Sequence, residues 1–232
     1  MKILLIETAT PVCSVALADA GRIVAFREST DAKAHSTQLP VFIQELSSLH
    51  DSFSTLDAVC VSAGPGSYTG LRIGVSSAKG LCYGLGIPLL SVPTLLGMAS
   101  LYYRQHPDYQ GLVCPMLDAR RMECYTMLVK AEGAEIRVLC DTRADVIAEG
   151  IYDRYLDTGV VTFIGDGAAK TQPILGTHPN ARFDPSFRIS AEGMLPLAEE
   201  RLAAGQTEDV AYFEPFYLKD FVAKKSVVHG LR

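Results

Sequence analysis

Apolar positions along this chain recur with two spacings, alternate and helical, and the chain switches between them several times. Lys2–Glu7 is an apolar run that ends in a hydroxyl-rich bend, Glu7-Thr8-Ala9-Thr10-Pro11, and Cys13–Ala18 alternates small polar with apolar side chains. Both read as strands. Asp19-Ala20-Gly21 makes a tight turn into a third strand, Arg22–Glu28, so the pair forms a hairpin. Helical spacing follows from His35 to His50, with Leu39, Phe42, Ile43, Leu46 and Leu49 on one stripe and Pro40 tolerable in the first turn. Leu56–Ser62 is a strand of the buried type. It empties into Ala63-Gly-Pro-Gly-Ser-Tyr-Thr-Gly70 and a helix rich in small residues, Leu71–Leu85. Ile87–Val92 predicts a strand and Thr94–Tyr103 a helix with Thr94 as its cap.

A polar stretch, Arg104–Gly111, separates this half from a second with a similar rhythm. Leu112–Leu117, Glu123–Lys130 and Glu135–Leu139 predict strands, and Arg143–Glu149 a helix. Val160–Ile164 predicts a strand ending in Gly165-Asp166-Gly167-Ala168 before a short helix, and Ala191–Ala203 a further helix. Antiparallel strands followed by βα units in both halves predict a duplicated α/β architecture. The expected lobes are residues 1–103 and 104–232, with a cleft between them.

Composition narrows the function classes. The chain has 232 residues, 48% of them hydrophobic and 20% charged, ordinary for a globular protein with a real core. A net charge of -5 argues against a surface devoted to nucleic acid. Gly, Pro or charge interrupts the apolar stretches short of a membrane span, and the start, MKILLIETAT, is too short an apolar run for a signal segment. A cytoplasmic location is expected. Cys13, Cys60, Cys82, Cys114, Cys124 and Cys140 lack zinc spacing and read as buried thiols, with Cys82 the exception if its helix faces a partner.

The stretch Gly64–Leu81, GPGSYTGLRIGVSSAKGL, resembles the TsaB (YeaZ) family, the dimerisation subunit of the bacterial machinery that makes threonylcarbamoyladenosine in tRNA. Glu7–Leu17, His35-Ser36, Leu117–Val129, Ile164–Lys170 and Pro215–Lys225 extend the resemblance, in order. It implies a two-lobed actin/Hsp70/sugar-kinase-like fold of two RNase H-like subdomains. It also implies a non-catalytic scaffold without cofactor that acts with a catalytic relative, TsaD, and an ATPase, TsaE. That machinery transfers a threonylcarbamoyl group to adenosine 37 of ANN-decoding tRNAs.

The residues themselves bear on whether chemistry has been lost. His35, His50, His106, His178 and His229 include no pair one helical turn apart, the spacing that aims two imidazoles at one metal ion. His35 more simply caps or lines a helix start. A nucleotide-binding lobe of this fold needs glycines where backbone N–H groups approach phosphate. Glu7, Thr8 and Thr10 keep the acid and the hydroxyls of such a loop, but glycine is missing and Pro11 removes a donor. Asp118, a candidate for hydrated magnesium, is likewise followed by Ala119-Arg120-Arg121 instead of glycines, and only Gly165 and Gly167 keep the form of an adenosine-side loop. These six residues make at most a vestigial nucleotide site. Gly64–Gly70 lacks the Lys-Ser/Thr of a P-loop and reads as a strand-to-helix turn, with Ser67 or Thr69 capping and Arg72 able to help an anion there.

Partner-binding candidates are Leu39, Phe42, Ile43 and Leu46 on the first helix and Leu71, Gly74, Val75, Ala78, Leu81 and Cys82 on the second, where Ser77 and Gly84 add further small positions. Small residues about one turn apart let another helix approach closely. The same faces could instead cover the chain's own sheet. With the resemblance, they are expected to pair with a TsaD-type subunit, and with a second copy when that subunit is absent. Arg120, Arg121, Lys219, Lys224 and Lys225 are the basic clusters, for which tRNA contact is expected to be indirect or minor. Two enzyme readings compete: a glycoprotease-like metallo-endopeptidase, which needs metal ligands, and an ATP-dependent small-molecule kinase, which needs phosphate-loop glycines.

Overall fold

The computed structural model describes residues 1–31, 33–49, 53–133 and 135–219, so His50, Lys224, Lys225 and His229 lie outside the described residues. The apolar runs of the first half become β1 (Lys2–Glu7), β2 (Cys13–Asp19), β3 (Arg22–Ser29), β4 (Ala58–Ser62) and β5 (Leu89–Val92). They form one sheet in the order β3-β2-β1-β4-β5. β1 is central and buried on both faces, pairing antiparallel with β2 (Ile6 opposite Val15) and parallel with β4 (Leu5 opposite Cys60). The second half repeats this plan with β6 (Leu112–Asp118), β7 (Glu123–Glu132), β8 (Glu135–Val146), β9 (Val161–Ile164) and β10 (Ala181–Asp184), in the order β10-β9-β6-β7-β8. Each sheet is three antiparallel strands extended by two parallel ones, so the duplicated, two-lobed RNase H-like architecture is the observed one.

Seven α-helices cover the sheets among the described residues: α1 (Ala34–Thr37), α2 (Leu39–Leu49), α3 (Tyr68–Leu85), α4 (Thr94–Gln105), α5 (Asp153–Leu156), α6 (Ala168–Leu175) and α7 (Leu195–Ala203). One face of the first sheet packs Leu4, Ile6, Val15 and Leu17 against Leu39 and Leu46 of α2 and Val75, Ala78 and Cys82 of α3. Its other face packs Ile3, Leu5, Cys60 and Leu90 against Met194, Leu195 and Ala198 at the start of α7. α4 packs on the second sheet, with Leu95, Met98 and Tyr102 against Val113, Val129 and Ile164. The halves therefore exchange covering helices, and the expected boundary between 103 and 104 falls inside α4, which serves the other lobe's core.

Several expectations need correcting. The helix expected from His35 is two helices parted at Gln38, because Pro40 has no N–H to donate to the Ser36 carbonyl and the ladder lapses there. Gln38 N–H closes the first on the Ala34 carbonyl, and Phe42 N–H opens the second on the Gln38 carbonyl. Thr94 does not cap α4; its hydroxyl accepts the Gly64 N–H at 3.0 Å and ties the glycine-rich loop to α4. No helix covers Arg143–Glu149. β8 continues to Val146, and buried Asp145 accepts bonds from Thr126, Arg143 and Tyr152 that hold the strand on β7. The helix expected from Ala191 opens as a 3-10 turn over Ala191–Met194. Short β10 and α5 were not foreseen.

The glycine-rich stretch has a structural purpose. Ser67 caps α3 by accepting the Gly70 N–H, and Ser67 N–H donates to the Ala9 carbonyl at 2.6 Å. A Cβ at Gly66 would overlap the Ala9 carbonyl, one at Gly70 the Thr8 carbonyl, and one at Gly74 the Thr8 hydroxyl. This row, one residue per turn, lets the β1–β2 bend lie directly on α3. Gly80 and Gly84 on the same helix face open space. Gly74→Ala is expected to destabilise the chain by about 3 kcal/mol through overpacking. Gly80→Ala should instead stabilise it by about 0.5–1 kcal/mol through helix propensity. Urea unfolding of the two variants checks this; equal effects would contradict the assignment of faces.

Candidate functional site

Two pairs of loops carry the candidate residues: the β1–β2 bend with the Gly64–Gly66 loop before α3 on the first lobe, and the β6–β7 hairpin tip with Gly165–Gly167 before α6 on the second. On the first lobe Thr8 and Ala9 rest directly on the α3 glycine row. Thr10 is buried and its hydroxyl accepts the Val12 N–H. Glu7 lies beneath this bend, fully buried, with Oε1 accepting the Ala9 N–H at 2.6 Å. Glu7 Oε2 and Thr8 Oγ1 have no hydrogen-bond partner among the described residues. Burial pushes the Glu7 carboxyl up to about 7, against the pull of the Ala9, Ser62 and Thr8 hydrogen bonds.

On the second lobe, Asp118 binds Lys170 Nζ from the first turn of α6 and accepts the Arg120 N–H at 2.7 Å. Burial raises the Asp118 pKa, but the Lys170 and Arg120 bonds outweigh it, so the carboxyl sits below its ordinary value. Its own N–H donates to Asp166 Oδ1 at 3.0 Å, and burial holds Asp166 above the ordinary range. Where the hairpin tip lacks glycine, Arg120 and Arg121 adopt left-handed backbone at φ 73° and 52°. A Cβ at Gly165 would overlap Met98, and one at Gly167 would press on Cys124 Sγ and Leu117. Glu7, Thr8 and Thr10 thus gather at the β1–β2 bend of the first lobe and Asp118, Gly165 and Gly167 at the paired loops of the second, and both groups are packed by contacts inside the chain.

The described histidines, His35, His106 and His178, belong to separate elements. His35 Nε2 lies 3.3 Å from the Val12 carbonyl and lines the α1 start, which Lys33 caps without a side-chain bond. His106 ends α4, and His178 bonds Asp157. Among the described residues no three His, Cys, Asp or Glu side chains are grouped to hold a metal ion. Five cysteines are buried and Cys140 is half-buried, and burial pushes Cys13, Cys82 and Cys124 up to about 11. Cys82 faces the first sheet and donates to the Pro88 carbonyl, so the expectation that it might face a partner is corrected.

The same correction applies to most of the partner-face candidates. Leu39, Leu46, Leu71, Gly74, Val75, Ala78 and Cys82 are buried within the chain; only Phe42, Ile43 and Leu81 are half-buried and reach the surface. The apolar stripe that marks α3 is its inner face. Its outer face carries another row of small residues, Ser76, Gly80 and Gly84, all exposed and one turn apart, flanked by Tyr83 at 85% exposure and Leu85. Val41 on α2 is also exposed. This outer row was legible as the complement of the Leu71–Val75–Ala78–Cys82 stripe. Beside it runs the segment after α7. Lys79 donates to the Ala211 and Phe213 carbonyls, and an open groove of about 700 Å³ lies between Gly80, Tyr83 and Val210. The segment continues to the cleft, where Phe216 N–H donates to the Ala63 carbonyl and Lys219 pairs with Glu123 of the other lobe. No described helix is long and apolar enough to cross a membrane.

A family model described as TsaD, tRNA N6-adenosine threonylcarbamoyltransferase, matches residues 28–227. The chain is 33% identical over 230 residues to the tRNA threonylcarbamoyladenosine biosynthesis protein TsaB of Escherichia coli, covering 98% of each. It is 35% identical over 129 residues to the TsaB of Bacillus subtilis, 55% of each chain. Among solved structures it is similar to YeaZ from Pseudomonas aeruginosa, with a TM-score of 0.82 at 27% identity over 94% of this chain and 99% of that one.

Buried Glu7 gives the cleft a pH signature. Its carboxyl binds a proton more tightly folded than unfolded, so stability is full below the unfolded value of 4.5 and falls as pH rises to about 7. Glu7→Gln should remove this slope and stabilise the chain near pH 8 by about 3 kcal/mol. Urea titrations near pH 5 and pH 8 check it; a variant less stable than the parent near pH 8 would show that the ionised carboxylate is a needed acceptor.

Proposed function

The chain belongs to the TsaB family of tRNA threonylcarbamoyladenosine biosynthesis proteins, and from that premise we propose that it is a non-catalytic subunit that holds the TsaD-type transferase. Its place is in tRNA modification. The partner surface is the outer side of α2 and α3: Val41, Phe42, Ile43, Leu81, Tyr83 and the Ser76–Gly80–Gly84 row. The observation that carries this reading is that row. Exposed glycine in mid-helix costs helix propensity and provides no contact within the chain, whereas it admits the backbone of a second helix. Exposed Tyr83 beside it is a side chain of the kind that anchors protein interfaces. The same surface would hold a second copy of this chain when the transferase is absent, and a TsaE-type ATPase would join the assembled pair.

The cleft supports the non-catalytic half of the reading. Thr8 and Ala9 occupy the space beside α3, and Lys170 occupies Asp118, the carboxylate otherwise suited to a hydrated cation. Transfer chemistry then falls to the partner.

Gly80→Arg tests the proposal. It is expected to weaken co-purification with the TsaD homologue at least tenfold, with helix content and melting temperature unchanged or raised. Sedimentation velocity of the mixture checks it. Association unaffected by this variant and by Tyr83→Ala would move the interface elsewhere.

A further inference from the structure

The β6–β7 hairpin tip shows a cost that packing does not explain. Arg120 and Arg121 both sit at positive φ, where a Cβ is disfavoured and glycine, asparagine or aspartate is the usual choice. Both are exposed, and neither is in a salt bridge among the described residues. Of the carboxylates at the tip, Asp118 pairs with Lys170 and Glu123 with Lys219, while Asp166 accepts the Asp118 N–H; against these three acids stand Arg120, Arg121, Lys170 and Lys219. Positive charge is left in excess at this edge of a chain that is acidic overall.

Aromatic rings continue the edge. Lys219 Nζ lies 5.8 Å from the Tyr125 ring centroid, two residues along β7 from Glu123. Two residues back along the C-terminal segment, the Tyr217 ring meets that of Tyr68 at 4.8 Å. The Arg72 guanidinium lies 4.3 Å from the Tyr68 centroid and donates to the Tyr217 hydroxyl, with Glu214 adding a weaker electrostatic pull. Cations and half-exposed rings thus alternate along the cleft mouth, from the Arg120–Arg121 tip to Arg72.

We propose that this edge binds RNA, the arginine tip engaging phosphates of a single-stranded loop and the tyrosine–arginine cluster stacking its bases. Single-stranded nucleic acid is held by this pairing of backbone charge with π-faces. Tyrosine and arginine also anchor protein interfaces; the tRNA modification context of the family favours RNA here, and an acidic protein surface is the other outcome of the test. The inference rests on the tRNA context of the proposed function and not on contact with the transferase.

The test uses Arg120→Gly with Arg121→Gly in the full chain. Glycine takes positive φ without penalty, so the double variant should melt no lower than the parent while losing both charges. Its affinity for a labelled tRNA anticodon stem–loop, read by fluorescence anisotropy at low salt, should fall about tenfold. The slope of log affinity against log salt should shrink by about 1.4, two phosphate contacts at roughly 0.7 each. Equal affinity and slope for parent and variant would overturn the proposal. So would displacement of the RNA by polyglutamate at matched charge, which would assign the edge to acidic proteins. Sedimentation of both forms with the TsaD homologue is read separately. Loss of that association in the parent would refute the scaffold reading and leave the RNA comparison on the chain alone decisive.

Discussion

The contact on which this structure turns is the seat of the β1–β2 bend on α3. Thr8 and Ala9 lie where the side chains of residues 66, 70 and 74 would be, and every one of those residues is glycine. That approach fixes α3 against the first sheet and buries Glu7 beneath the bend. It also sets the rotation of α3. With the Gly70–Gly74 and Val75–Ala78 side turned inward, the Ser76–Gly80–Gly84 row has to face outward. The tight seat of the bend and the exposure of the outer row are two consequences of one packing arrangement.

The rest of the molecule reinforces that arrangement. α7, from the far end of the chain, covers the reverse of the first sheet, and α4 crosses to cover the second. The segment after α7 returns along α3, held by Lys79 and Arg72, and reaches Glu123 on the second lobe through Lys219. The lobes are tied by exchanged helices and by this strap, so the outer side of α2–α3 belongs to a supported body.

Much of this was legible in the sequence. Apolar runs and alternation located nine of the ten described strands, because buried central strands such as β1 and β4 leave uninterrupted apolar signals. The repeat of the two halves anticipated two sheets of one topology. Elements were missed where local pattern yields to tertiary contacts: Arg143–Glu149 has helix-forming composition, but the bonds to Asp145 keep it extended. Seven of the ten partner-face candidates lie buried for a related reason. Apolar and small positions on α3 are visible in sequence, but which side meets the sheet depends on Thr8, a residue some sixty positions earlier in the chain. Gly74 and Gly80 look alike as letters; one holds the fold and the other faces solvent. The strain at Arg120–Arg121 was hidden too, since backbone φ is not written in residue type.

Hydrogen–deuterium exchange, comparing the chain alone with its complex with the TsaD homologue, tests the central claim most directly. The seat of the bend on α3 and the outward row together require new protection over residues 41–48 and 76–85. Exchange at the β6–β7 hairpin and the Gly165 loop should be unchanged. Protection confined to the cleft loops, with α3 exchanging as before, would contradict the account.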